Sequence, residues 1–463
     1  MSKEFVHPYI PNSVPGIQAE MLESIGAKDI EEFFACIPQE LRVKGLLDLP
    51  KPFLSEASLK RHVEGILSKN RTSSEMLCFL GGGCWNHYVP AVCDEVNGRS
   101  EFLTAYAGEP YEDHGRFQAL FEYESLMAEL LDVDVVNVPT YDGSQAAATA
   151  LRMAGRITGR DEVLVAGTTS PDRLSAIRGY LHPDMKVTLV GHDPKTGLMD
   201  RADLAAKLSD RTAAVYFENP AYLGFIETGG QAISDAAHGQ GALSVVYADP
   251  SSLGVLTPPS GYGADLTCGD IQPLGLHMYM GGARGGFIGA PDDVKFIEEY
   301  PSRLFGIAPT SHKEWGFGDV AWERTSFAKR ENGKEFVGTA AALWGITAAV
   351  YLSLMGPAGM KELGEACMGR TAYAMKKLGA IRGVKVPAIG NAFFKEFPVS
   401  FEGTGKTVKE ISKALLGKGI LCGHDLSKDF PALGQSALYA FTEVVTQDDI
   451  DTLADALAEV TAQ

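Results

Sequence analysis

Hydrophobic positions fall into three regimes along the chain. Between residues 1 and 65 a proline-rich lead is followed by Ile17, Met21, Leu22 and Ile25, spaced as one face of a helix, and then by a second short helix. This pattern predicts a helical arm that lies on something else and not a free domain. From 66 to 330 the pattern alternates. DEVLVAG (161–167), KVTLVGH (186–192), TAAVYFE (212–218) and ALSVVYAD (242–249) are valine-rich apolar runs of strand length, separated by helical stretches such as 170–180 and 200–208. Apolar strands joined by crossover helices predict buried parallel strands, hence a large α/β domain. From 331 to 463 a long helix and the runs AFFKEFPVSF (392–401) and SALYAFTEV (436–444) predict a smaller α+β domain. The most apolar stretch, 338–354, is expected as a buried helix, and no uncharged apolar run is expected to be long enough to cross a bilayer.

Composition narrows the class. A chain of 463 residues, 45% hydrophobic and 22% charged, has material for one large domain and a smaller one. A formal net charge of -18 argues against a nucleic-acid partner, because phosphate neutralisation needs a cationic surface. The seven cysteines (36, 78, 84, 93, 268, 367 and 422) are scattered and form no C-x-x-C pair, which suits reduced thiols better than disulfides or a metal site. Met1-Ser2-Lys3-Glu4 is a polar opening and not a signal peptide. The expectation is a cytoplasmic protein with no metal, nucleic-acid or membrane partner.

Candidate chemistry lies in the middle regime. YDGSQAAATALRMA (141–154) puts Gly143, Ser144 and Gln145 at the start of an alanine-rich helix. Free N–H groups and the macrodipole there favour a phosphate, and an ordinary cap by Asp142 or Ser144 is the alternative. The run 242–249 ends at Asp249, a carboxylate placed either to pair with a protonated ring nitrogen or to cap a turn. Then ADLTCGDIQPLGLHMYMGGARGG (264–286) supplies a short strand over 264–268, the turn Asp270-Ile271-Gln272-Pro273, and a glycine-rich return whose glycines let a ligand or partner come close to Arg284. This order resembles pyridoxal-phosphate enzymes of the aspartate-aminotransferase fold, yet no lysine lies between Lys207 and Lys295. His87 and Tyr88 follow a tight GGGCWN turn, and either border a pocket or pack. Arg99 and Arg116 offer carboxylate forks, with structural ion pairs to Glu95, Glu101 or Glu112 as the commoner fate. Lys334 reads as solvated, His114 and His277 carry little weight as acid–base groups, and no cysteine has an adjacent base.

A longer set of motifs narrows the resemblance. Phe79-Leu80-Gly81, His87-Tyr88-Val89-Pro90-Ala91-Val92, the segment 99–106 ending in Tyr106, 115–118, Phe121-Glu122 and Tyr141-Asp142-Gly143 follow one another in order. FENPAYLGFIE (217–227), GDIQPLG (269–275) and AVYLSLMGPAGMKELGEAC (349–367) continue the series. Together they resemble the glycine decarboxylase P-protein family, and within it the alpha chain, subunit 1, of the two-chain bacterial form. The resemblance implies a pyridoxal-phosphate-dependent transferase fold (fold type I), with a mostly parallel central sheet and a smaller α+β C-terminal domain. It also implies an α2β2 assembly whose beta chain carries the Schiff-base lysine in a His-Lys pair. This chain has Gln272-Pro273 there, and proline has no side-chain amine. The chain is therefore expected to lack a catalytic residue of its own and to hold no cofactor covalently. Pyridoxal phosphate would sit in the partner subunit. Gly143, Ser144, Gln145, Asp249, Gln272, Arg284, His87 and Tyr106 become candidates for a vestigial pocket or the subunit interface. The implied reaction is decarboxylation of glycine with transfer of the aminomethyl group to the lipoyl arm of the H-protein. The sequence departs from the family pattern at 107–115, 138–140, 278–284 and 336–340. Those departures keep open a paralogous complex acting on a related amine, and a non-catalytic scaffold that binds a metabolite.

Overall fold

The computed structural model describes residues 6–462 except 8, 46, 103–115, 282–283, 321–328, 332, 336 and 338–339. Two compact units divide the chain, Met1–Asn70 and Arg71–Gln463. In the first, α1 (Pro15–Ser24) starts with proline at its first turn, and α2 (Glu56–Leu67) follows; neither helix contains a buried residue. Ile17, Met21 and Ile25 of the predicted apolar face are exposed.

In the second unit, α3 (Phe117–Leu131) leads into β1 (Val135–Val136) and α4 (Gly143–Thr158). Then follow β2 (Glu162–Ala166), α5 (Pro171–Leu181), β3 (Lys186–Val190), α6 (Arg201–Lys207), β4 (Thr212–Asn219) and α7 (Gly230–Gly239). β5 (Leu243–Ala248), β6 (Leu266–Asp270) and β7 (Gly286–Ala290) complete, among the described residues, a seven-stranded sheet of order β1-β7-β6-β5-β4-β2-β3. β2 to β6 are parallel, while β7 is antiparallel to both its neighbours. The sheet is apolar on both faces, which is why its strands read as unbroken hydrophobic runs. Val163 and Val165 of β2 pack with Leu151 of α4 and Ile177 of α5, whereas Leu164 and Ala166 face Leu204 of α6 and Ile233 of α7. The strand expected over 264–268 runs from Leu266 to Asp270 instead, because its ladder with β7 extends to the pair Asp270–Gly286.

α8 (Ala342–Gly379) is the long helix, broken by Gly356 in the left-handed region (φ 58°) just before Pro357. By length and composition alone it could cross a membrane, where no such run was expected. The first half nonetheless buries Ala348, Tyr351 and Leu352 against Tyr123 and Met127 of α3. The smaller sheet is antiparallel, β8 (Glu396–Ser400), β10 (Ser436–Ala440) and β9 (His424–Asp425) in that order. Phe397, Val399, Leu438 and Phe441 share its core with Ile411 and Leu453 of the following helices.

Candidate functional site

The site lies along the C-terminal edge of the large sheet, where parallel α/β sheets present ligands. Ala248 of β5 pairs with Gly269 of β6, so Asp249 and Asp270 emerge side by side from neighbouring strands. Asp270 turns towards the start of α4. Its Oδ2 accepts the Gly143 N–H at 2.8 Å, and its Oδ1 accepts the Gln272 N–H at 3.0 Å. Asp142 caps the same helix by accepting the Gln145 N–H at 2.8 Å. Of the two readings of 143–145, the cap is realised, with a second carboxylate added to it. Gly143 is required by this close approach: a Cβ there would lie 2.5 Å from the Tyr247 hydroxyl and 2.9 Å from Cβ of Asp270. Burial pushes the Asp270 carboxyl up to about 6, against the pull of Arg284 and the two N–H groups. The Arg284 guanidinium lies 3.9 Å from Asp270 and 3.6 Å from Asp142.

Asp249 has a different partner. Its Oδ2 is 2.7 Å from Nζ of Lys395, the residue before β8, and both side chains are buried. Lys395 also donates to Nε2 of His87 (2.9 Å) and to Oγ of Ser251 (3.1 Å), which uses all three ammonium hydrogens. The Trp85 ring covers the ammonium at 3.6 Å. Since His87 accepts at Nε2, its ring hydrogen resides on Nδ1 and is donated to Glu443 at 2.7 Å. The other Glu443 oxygen accepts the Tyr88 N–H at 2.7 Å. Burial alone would raise this carboxyl, but the hydrogen bonds from the His87 ring and the Tyr88 N–H hold it below the usual carboxylate range. Oδ1 of Asp249 is occupied by the Ser251 N–H (3.0 Å) and hydroxyl (2.7 Å). Asp249 thus caps its turn and pairs with Lys395. Beside this network Glu396 accepts the Gly82 N–H at 2.7 Å, and burial pushes its carboxyl up to about 7. Arg173, paired with Glu218, stacks its guanidinium 3.5 Å over the Tyr247 ring.

Gly143, Gln145, Asp249, Gln272, Arg284 and His87 are therefore gathered around one edge of the sheet. Ser144 is half-buried on the first turn of α4. Gln272 is fully buried, and its amide bonds Trp85 at both N–H and C=O (3.1 and 3.0 Å) and the Leu276 carbonyl (3.1 Å). It pins the chain rather than facing a ligand. Tyr106, with the departures at 107–115 and most of those at 336–340, lies outside the described residues. Arg99 takes the structural fate, next to Glu95 (3.4 Å) and Glu101 (3.9 Å), and Lys334 pairs with Glu299 at 3.6 Å. His277 meets Asp94 at 3.0 Å on the surface, and burial pushes the Cys84 and Cys93 thiols up to about 11. Sequence reasoning missed Lys395, Glu443, Ser251 and the role of Asp270. A signal existed for the first, since FFKEF places two charges inside an apolar strand.

The family description Glycine cleavage system P-protein matches residues 7–457. The chain belongs to that family. A relative from Staphylothermus marinus, named "Probable glycine dehydrogenase (decarboxylating) subunit 1", is 38% identical across 98% of both chains. A relative of the same name from Aeropyrum pernix is 36% identical over 98% of this chain and 99% of its own. Among solved structures, a glycine decarboxylase (P-protein) in inhibitor-bound form matches with a TM-score of 0.83 at 32% identity, covering 98% of this chain and 100% of that one. A sphingosine-1-phosphate lyase from Burkholderia pseudomallei gives 0.66 at 14% identity over 92% and 95% of the two chains, a likeness of fold alone. The α/β fold is the pyridoxal-phosphate-dependent transferase fold expected from the sequence.

The residues that this P-protein family chain gathers at this edge do not fit pyridoxal phosphate. The helix start that would take the phosphate holds Asp270. Asp249, which would face the ring nitrogen, holds Lys395. The cleft between Trp85, Arg173, Tyr247 and Lys395 retains about 30 Å³, room for water and not for a substituted pyridine ring.

Proposed function

We propose that this chain is the non-lysine subunit of glycine dehydrogenase (decarboxylating), working in the cytoplasm as half of an α2β2 assembly with a homologous lysine-bearing subunit. The observation that carries this reading is the turn Asp270-Ile271-Gln272-Pro273 at the end of β6, which offers no side-chain amine where the family needs one. The names of the relatives support a split enzyme with a second subunit. In this reading the partner holds pyridoxal phosphate, releases the carboxyl group of glycine as carbon dioxide, and passes the aminomethyl group to lipoyl H-protein. This chain contributes a rigid wall that positions and dehydrates the partner's site. Residues 66–330 form its large domain and 331–463 its small one. Residues 1–65 serve as an arm laid on the partner, a role supported by the exposure of Ile17, Met21, Leu59 and Val63.

The test is reconstitution. Each subunit is purified alone and mixed, with glycine-dependent exchange of the carboxyl carbon with bicarbonate as the readout. Exchange is expected only in the mixture, and borohydride should leave no pyridoxyl-lysine on this chain. Turnover by this chain alone would overturn the proposal. A stable complex that ignores glycine but processes another amine would shift the substrate to that amine.

A further inference from the structure

We propose that Lys395 and Asp270 are built-in substitutes for the two charged ends of a pyridoxal phosphate, and that they close this chain's own pocket to that ligand even as a noncovalent guest. A lost lysine would not by itself close the pocket. A ring with a protonated nitrogen at one end and a phosphate at the other needs only a carboxylate and a helix start to be held without a covalent bond. This chain still has both receptors, at the end of β5 and at the start of α4. Each is engaged from within by a side chain carrying the charge of the missing end. The Lys395 ammonium donates to Asp249 at 2.7 Å, as a ring N–H would, and the Asp270 carboxylate accepts the Gly143 N–H at 2.8 Å, as a phosphate oxygen would.

Both substitutes are held in place. Lys395 has three acceptors and lies over the Trp85 ring, and it comes from the small-sheet region to meet a residue at the end of β5. Asp270 binds two N–H groups at once and has Arg284 beside it. Its elevated carboxyl, up to about 6, still leaves it mostly ionised at neutral pH and hence still an anion in an anion's place. Between the two ends, the face of Tyr247 is covered by the planar cation of Arg173. The inference goes beyond the subunit assignment and rests on it only for the nature of the abandoned ligand.

The experiment uses the full chain without any amino acid, comparing wild type with the double variant Lys395→Ala/Asp270→Ala. Pyridoxal phosphate is titrated while tryptophan fluorescence, to which Trp85 contributes, and the thermal midpoint are followed. The double variant is expected to bind saturably and at least about tenfold more tightly than wild type. Asp270→Ala alone should gain stabilisation by inorganic phosphate, and Lys395→Ala alone by phosphate-free pyridoxal. Wild type binding as tightly as the double variant overturns the proposal, and so does a folded double variant that binds no better. Should the double variant fail to fold, Asp270→Ala with inorganic phosphate decides: a saturable midpoint shift absent from wild type supports the proposal, and equal responses overturn it. No readout involves turnover, so a negative result here leaves the subunit assignment intact, and failed reconstitution leaves this result standing.

Discussion

Removing an ammonium and a carboxylate from water costs several kcal/mol each, so a pair as buried as Lys395 and Asp249 persists only with its hydrogen-bonding capacity matched. The residue beside it is less well matched. Glu396 sets the Gly82 N–H against its burial, and its carboxyl rises from 4.5 to about 7. A carboxyl raised in the folded state contributes stability that is full below pH 4.5 and is lost as pH climbs through about 7. Glu396→Gln keeps the shape and the acceptor but removes the charge. Urea unfolding midpoints of the variant should therefore fall less between pH 4.5 and 7 than those of wild type. Parallel pH profiles would show that Glu396 is not the responsible group. Asp270, raised to about 6, acts with the same sign, whereas Glu443, held below the usual carboxylate range, loses its contribution only as pH falls below 4.5. In the sequence the adjacent charges of FFKEF were a visible anomaly, but their direction of titration was not. That direction depends on how much water the fold removes and which N–H groups it aims at each oxygen.

At the scale of elements, the start of α4 is the most constrained junction of the site. Gly143 sits where Tyr247 and Asp270 meet the helix, and Tyr247 is itself held under Arg173. Gly143→Ala should lower stability by about 1–3 kcal/mol through overpacking, read as a lower thermal midpoint. Ser144→Ala, on the half-buried neighbour, should change it much less. If the two variants melted alike, the close packing would not be the reason for glycine. The helix start and the strands β2 to β5 were legible because each follows a local rule, a cap residue or an apolar run. The end of β6 was not, since its pairing with β7 carries the strand two residues further than composition suggests. α8 follows a local rule as well: the Gly356-Pro357 step breaks it at the point the sequence marks.

For the whole molecule, the arm reading has a direct consequence. Amide exchange in α1 and α2 should slow when the full chain is mixed with its lysine-bearing partner, because none of their side chains is buried in this chain. Exchange unchanged in the complex would remove the arm from the interface. The order of hydrophobic runs and the long series of motifs determined the fold class and the family from the sequence alone. Gln272-Pro273 did the same for the absence of a cofactor lysine at that turn. Such features are local: a period, a residue type, a spacing. Tertiary structure alone decided that the pocket's two receptors are filled, because that requires Lys395 to cross from the small sheet to Asp249. The same crossing joins His87 to Glu443, 356 residues away, and within the large sheet the layers put Asp270 against Gly143 across 127. Ion pairs of this kind exist only once burial has removed the competing water, and burial is a property of the assembled layers, not of any segment that enters them.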